Sequence, residues 1–505
     1  MVLRDGRTIS ALTVGAAVAV LAGLAPATAV AAEGSAETYG KQQLRWERCD
    51  FDGTAKLECA KVEVPLDYAD PGGRTIDIAV SRVKAGNAAK RHGVLLMNPG
   101  GPGGSGLAMP VEIEPVLSAE VRDRFDLIGF DPRGVGRSSP IGCGLTEDEM
   151  TVHHPYSDAT FPKDVARARS VADKCWAKSG DLLPHITTRN TARDMDAIRA
   201  ALGERRISYL GHSYGTYLGA VYTQMFPRRA DRFVLDSSLD PALAWRGAFR
   251  GWSEGAELAF TRWTEWAAAR NATYGLGATA AEVRSGFWEL VARADRTPIP
   301  VGGELLTGDA IRLRYEDFYR VETVTPWVVA LKTAAAGGPA GAAAPAAAAV
   351  PASASEVPAD NPLAVAWAVF CGDTRSWPRD PEQYRRDAIR DRATRPLAGD
   401  IAANIQPCAF WKSAAREPVT VVDNDVNALI VQNQWDPKTT LAMAQGMRRA
   451  LHGARLVTVA GGEGHGVVVV GPSCADAPVN RYLTTGRLPA KDLTCGGAAG
   501  GAGGR

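Results

Sequence analysis

The chain has 505 residues, of which 46% are hydrophobic and 22% charged, and its formal net charge is +1. That length and apolar content exclude a disulfide-stapled mini-protein and a disordered chain. Near-neutrality leaves no electrostatic footprint for DNA or RNA, which requires basic surface to displace counterions. Size alone allows two or three domains, or one large domain carrying an insertion.

The N-terminus reads as a secretory signal. Arg4 and Arg7 precede an apolar run from about Ile9 to Leu24, Pro26 breaks it, and Ala29–Ala32 offers small residues to a signal peptidase. Residues 1–32 are therefore expected to be removed near Ala31–Ala32. A membrane anchor is the alternative, because the run approaches spanning length. The small-residue end favours secretion without a stable anchor, with or without retention at the cell wall. Eight cysteines in an exported chain imply disulfides. They fall in sequential couples: Cys49 with Cys59, Cys143 with Cys175, Cys371 with Cys408, and Cys474 with Cys495. None has zinc-ligand spacing, so neither metal nor cofactor is expected.

The next elements alternate between strand and helix. Cys59–Pro65 alternates as an edge strand would, and Ile76–Val83 reads as a half-buried strand. Val94–Met97 is a continuous apolar run, hence a buried strand, and it ends in Asn98-Pro-Gly-Gly-Pro-Gly-Gly-Ser-Gly106. Phe125–Phe130 is another buried strand, followed by Asp131-Pro-Arg-Gly-Val-Gly-Arg-Ser138. Thr191 is a candidate cap for a helix with Met195, Ile198 and Leu202 on one face. Ile207–Leu210 is a strand, then Gly211-His-Ser-Tyr-Gly215, then a helical run, then the strand Phe233–Asp236. This order predicts a mostly parallel sheet covered by helices on both faces.

The pattern changes at about residue 241. Residues 241–415 hold aromatic-rich helical segments and an Ala/Gly/Pro tract over 334–359, which reads as a loop. Strands return at Asn427–Val431 and Leu456–Val459, separated by a helix at Thr440–Leu451. The predicted organisation is a signal at 1–32, an α/β core at 33–240, a helical lid at 241–415, the rest of the core at 416–495, and a disordered Gly-rich tail at 496–505.

The chemistry centres on Gly211-His-Ser213-Tyr-Gly215. A GxSxG turn between strand and helix holds serine in a strained conformation and presents its hydroxyl above the sheet. The serine requires a base. Of seven histidines, His465 in Gly461-Gly-Glu-Gly-His-Gly466 alone follows a late strand, where an α/β-hydrolase base belongs. His212 is read as pointing away from its neighbour in the elbow. The acid should lie between the two in sequence. Asp436 follows the strand Asn427–Val431; Asp236 and Asp240, after the strand that follows the nucleophile helix, are rivals. An oxyanion hole requires two backbone N–H groups. Tyr214 supplies one, and Gly101 in the glycine-rich loop is the choice for the other.

Together, the Asn98–Gly106, Asp131–Ser138, Gly211–Gly215 and Gly464-His-Gly466 motifs resemble those of secreted actinobacterial tripeptidyl aminopeptidases, which are α/β-hydrolases related to prolyl aminopeptidases. The similarity spans about Leu44 to Cys495. It implies a serine exopeptidase acting on peptides with free N-termini through Ser213, Asp436 and His465. A departure is Asn433-Gln-Trp before the acid. An aminopeptidase must hold a charged amine, and a carboxylate does this. The lid candidates are Asp373, Glu265 and Glu316, with Glu254 and Glu257 also present. An esterase or lipase on the same machinery, and a non-catalytic secreted binding protein, are the alternatives. A monomer is expected.

Overall fold

A computed structural model describes residues 41–51, 56–338, 357–413 and 415–496. The expected signal segment, most of the Ala/Gly/Pro tract and nearly all of the C-terminal tail lie outside the described residues. Twelve strands run in chain order: β1 (Glu47–Arg48), β2 (Glu58–Pro65), β3 (Thr75–Val83), β4 (Gly93–Asn98), β5 (Phe125–Phe130), β6 (Ile207–His212), β7 (Ala230–Asp236), β8 (Ile299–Val301), β9 (Glu304–Leu306), β10 (Ala428–Trp435), β11 (Arg455–Glu463) and β12 (Leu493–Gly496).

Ten of these strands form one sheet, in the order β1-β2-β3-β5-β4-β6-β7-β10-β11-β12. From β5 to β12 all neighbours are parallel, and β1 to β3 add an antiparallel edge. Every residue of β4 is buried, as a strand covered on both faces requires. The chain has the α/β-hydrolase fold. β2 is not the edge strand that its alternation suggested, because the two residues of β1 pair outside it. The helix expected to be capped by Thr191 starts four residues earlier, with Thr187 as its cap and Thr188 as its first residue. There the Thr187 side chain accepts the Asn190 N–H, while the Thr191 hydroxyl turns back to the Thr187 carbonyl. All four sequential cysteine couples are joined.

The inserted region divides between two hydrophobic cores. Phe260, Trp263, Phe287 and Phe318 build a separate lid core with mostly edge-on ring contacts. In contrast, Trp245, Ala248 and Phe249 at the start of the helix Arg246–Ala268, and the apolar face of the helix Asn361–Gly372, join the core beside the sheet. The lid is thus rooted in the catalytic domain at both ends.

The Asp131–Ser138 motif meets the helix Thr188–Ala201 in a buried ion pair. Arg133 and Asp194 have fully buried side chains and pair through two bonds of 2.5 and 2.7 Å, with the Tyr68 hydroxyl donating to the same carboxylate. Arg133 also donates to the carbonyls of Leu66, His185 and Pro65, so its fork is filled. Arg133→Ala leaves a buried carboxylate without its cation. It is expected to destabilise the fold by about 3–5 kcal/mol, read by denaturant unfolding.

Candidate active site

The nucleophile turn lies between β6 and the helix Tyr214–Met225. Ser213 has φ 58, one of three non-glycine residues with positive φ among those described. This strain is expected where a side chain must project from a tight strand-to-helix turn. The turn tolerates no bulk: a Cβ at Gly211 would stand 2.5 Å from the Gly215 carbonyl and the Tyr209 ring, and one at Gly215 would stand 2.8 Å from the Asn98 carbonyl. The glycine-rich loop after β4 lies against it. A Cβ at Gly100, where φ is +90°, would stand 2.4 Å from the His212 carbonyl and 3.0 Å from the Tyr214 nitrogen. Gly101 lines the same cavity as Ser213, and among the described residues its N–H meets no acceptor. Asp131 holds the far end of this loop, accepting from the Ser105 hydroxyl at 2.6 Å and the Gly106 N–H at 3.1 Å.

His465 and Asp436 are brought together from β11 and β10. His465 Nδ1 lies 2.9 and 3.0 Å from the two Asp436 oxygens. Asp436 also accepts the N–H groups of Lys438 and Thr439 and the Thr439 hydroxyl. Burial alone would raise its carboxyl. The His465 hydrogen bond and charge, with the Thr439 N–H, outweigh burial and hold it below the usual range. Asp436 is therefore an anion whose lone pairs are already aimed. The Gln432 amide donates to the Asn433 and Thr439 carbonyls and to Asp436, bracing the turn.

The rival acids have other partners. Asp236 is fully buried and accepts backbone N–H groups from Val467, Val468 and Val469. Burial pushes its carboxyl up to about 6. Asp240 caps the turn Pro241–Leu243. His212, read from sequence as pointing away from its neighbour in the elbow, lines the same cavity as Ser213. Its ring lies 4.5 Å from that of His465, with Nδ1 3.2 Å from the Pro99 carbonyl. Burial, then the neighbouring His465, lower its pKa to about 4, so it is neutral.

Ser213, His465 and His212 open into a cavity of about 560 Å³. Trp245, Phe249, Trp252, Trp367 and Phe370 supply aromatic walls, and Leu239 and Leu363 aliphatic ones. His153 also lines the cavity, a placement that its polar sequence neighbourhood did not signal. Burial lowers its pKa to about 4.

The three candidate carboxylates for an amine are not equivalent. Asp373 stands behind the wall: it accepts the Thr188 N–H and hydroxyl at 2.8 and 2.6 Å, and the Nε1–H of the cavity residue Trp245 at 3.1 Å. Its lone pairs serve the scaffold, which argues against direct amine binding. Glu265 is exposed on the lid helix and does not line the cavity. Glu316 is half-buried and lies 2.5 Å from the ammonium of Lys438, itself a cavity residue two positions after Asp436. Glu254 and Glu257 are engaged elsewhere, with Arg395 and the Leu397 N–H.

Residues 93–286 match the family model for the alpha/beta hydrolase fold, and residues 395–495 match that for TAP-like protein. The chain is 36% identical over 468 residues to a tripeptidyl aminopeptidase of Streptomyces lividans, covering 90% of this chain and 86% of that protein. The chain belongs to the tripeptidyl aminopeptidase family of α/β-hydrolases. It is also 30% identical over 462 residues to the serine protease Hip1 of Mycobacterium tuberculosis, covering 86% of this chain and 87% of the relative. A carboxylesterase B of the same species is 31% identical over 479 residues, covering 90% of each. As a member of this family, the chain is a serine hydrolase.

Proposed function

We propose that this serine hydrolase is a secreted exopeptidase that releases tripeptides, or other short peptides, from free N-termini. The observation that carries the reading is a serine in a strained elbow that shares one cavity with a histidine already bonded to a buried aspartate. Ser213 attacks the scissile carbonyl while His465 takes its proton and later gives it to the leaving amine. Asp436 fixes the imidazole tautomer and stabilises the imidazolium. The N–H groups of Tyr214 and Gly101 receive the developing oxyanion. The Streptomyces relative supports tripeptide release, and four disulfides support an oxidising compartment.

The cavity walls favour apolar side chains on the acyl side of the scissile bond. Glu316, beside the cavity through Lys438, is the carboxylate best placed to meet the substrate ammonium. It retains lone pairs after pairing with Lys438. Glu316→Gln is expected to raise KM for free-amine peptides roughly tenfold, with kcat nearly unchanged; steady-state kinetics on one tripeptidyl amide check this. The product-size claim is tested by digesting unblocked peptides and weighing the products. Successive loss of three-residue fragments supports it, and internal cleavage or single-residue release contradicts it.

A second reading is a carboxylesterase. The cavity wall carries no Asp or Glu among the described residues, and one relative bears that name. Ester turnover without amide turnover would favour it.

A further inference from the structure

We propose that Asp236 and Ser237, at the C-terminal end of β7, are positioning residues that fix His465 relative to Ser213. The inference rests on the reading of Ser213, His465 and Asp436 as a catalytic triad. His465 sits between Gly464 (φ 95) and Gly466 (φ 104), with Gly461 and Gly462 just before. Such a segment gains turning freedom and loses intrinsic stiffness. Something outside it must therefore set where the imidazole stands.

The tethers come from β7. The Asp236 carboxylate accepts the N–H groups of Val467 at 2.9 Å, Val468 at 2.8 Å and Val469 at 3.2 Å. The Ser237 hydroxyl accepts the Gly466 N–H at 2.9 Å. The four residues after His465 are thus held by one dipeptide. Three successive N–H groups converging on a carboxylate form an anion nest, and charge-assisted bonds of this kind are strong. The same dipeptide also holds the nucleophile, because the Asp236 carbonyl accepts the Ser213 N–H at 3.0 Å. Both reacting residues are therefore referenced to a single point on the sheet.

Two further observations agree. Ser237 has φ 60, a conformation that persists in a non-glycine residue only where surrounding contacts enforce it. From the other side, the Asn433 amide donates to the carbonyls of Gly464 at 3.0 Å and Gly466 at 2.8 Å, bracketing His465. Among the described residues Asp236 shares no hydrogen bond with the imidazole, although the charge of His465 is felt at its carboxylate; its hydrogen-bonded link runs through the loop that carries His465.

The test compares Asp236→Asn, Ser237→Ala and Ser213→Ala on one tripeptidyl amide and with a fluorophosphonate probe. Asp236→Asn keeps the shape but turns one acceptor into an NH2 group facing N–H donors. It is expected to lower kcat roughly 10- to 100-fold, with KM within about threefold and a matching fall in the labelling rate of Ser213. Ser237→Ala is expected to lower kcat roughly threefold or more in the same pattern. If kcat stays within about twofold of wild type in both variants, or KM rises while kcat holds, the proposal is overturned. If Asp236→Asn does not fold, Ser237→Ala decides by the same criterion. Hydrolysis by Ser213→Ala would remove the triad reading itself and the inference with it, whereas a dead Ser213→Ala beside fully active Asp236→Asn and Ser237→Ala would overturn only the positioning role.

Discussion

Ser213→Ala is expected to lower kcat/KM by roughly 10⁴-fold or more while leaving thermal unfolding nearly unchanged. The size follows from the site: without the hydroxyl there is no acyl-enzyme, and water must attack a carbonyl held only by the oxyanion donors and the cavity walls. That residual machinery gives modest catalysis over solution. The fold should tolerate the change, because Ser213 donates its backbone N–H to Asp236 and accepts from the Thr216 hydroxyl and N–H through its carbonyl, none of which uses its side-chain oxygen. Steady-state kinetics and loss of fluorophosphonate labelling check the prediction together. Labelling that persists in the variant would move the nucleophile elsewhere.

Asp436→Asn is expected to cost kcat on the order of 10⁴-fold with little change in KM. The aspartate accepts from His465 Nδ1 and from three donors in the turn Lys438–Thr439. An amide in that place presents an NH2 group to the imidazole and favours the tautomer that cannot accept the Ser213 proton. Because His465 and the Thr439 N–H hold the carboxyl below its ordinary range despite burial, its charge persists above that depressed value and is lost only as pH falls through it. Loss of wild-type activity within the ordinary carboxylate range therefore belongs to another group. A pH profile of kcat for the wild type, beside single-point rates for the variant, checks both statements.

The residues proposed to react stand out in sequence because each sits where local pattern is strongest. Ser213 lies in a glycine-flanked turn between an apolar strand and a helix, and His465 and Asp436 follow late strands in the expected order. What surrounds them was less legible. Asp236 and Asp436 both end apolar strands, and only the adjacency of β7 and β10 in the sheet shows that one meets a backbone nest and the other an imidazole. The same adjacency gives Ser237 and Asn433 their partners in the His465 loop, hundreds of residues away for Ser237. The lid tryptophans divide for a similar reason. Trp263 lies in the lid core, whereas Trp245 and Trp252, on the same stretch of chain, wall the cavity. Helical periodicity reveals a buried face but not which of two cores it enters. The carboxylate proposed to meet the amine stood out least, since an acidic residue on a helix looks alike whether it faces solvent, as Glu265 does, or pairs with a lysine, as Glu316 does with Lys438.

The proposed attack on peptides from a free N-terminus can be read from a single pair of substrates. The most direct measurement is kcat/KM for one apolar tripeptidyl anilide beside its N-acetylated form. Efficient release of anilide from the free amine is expected, with a rate lower by roughly 100-fold or more for the blocked substrate. Equal rates on the two, or turnover of esters alone, would contradict it.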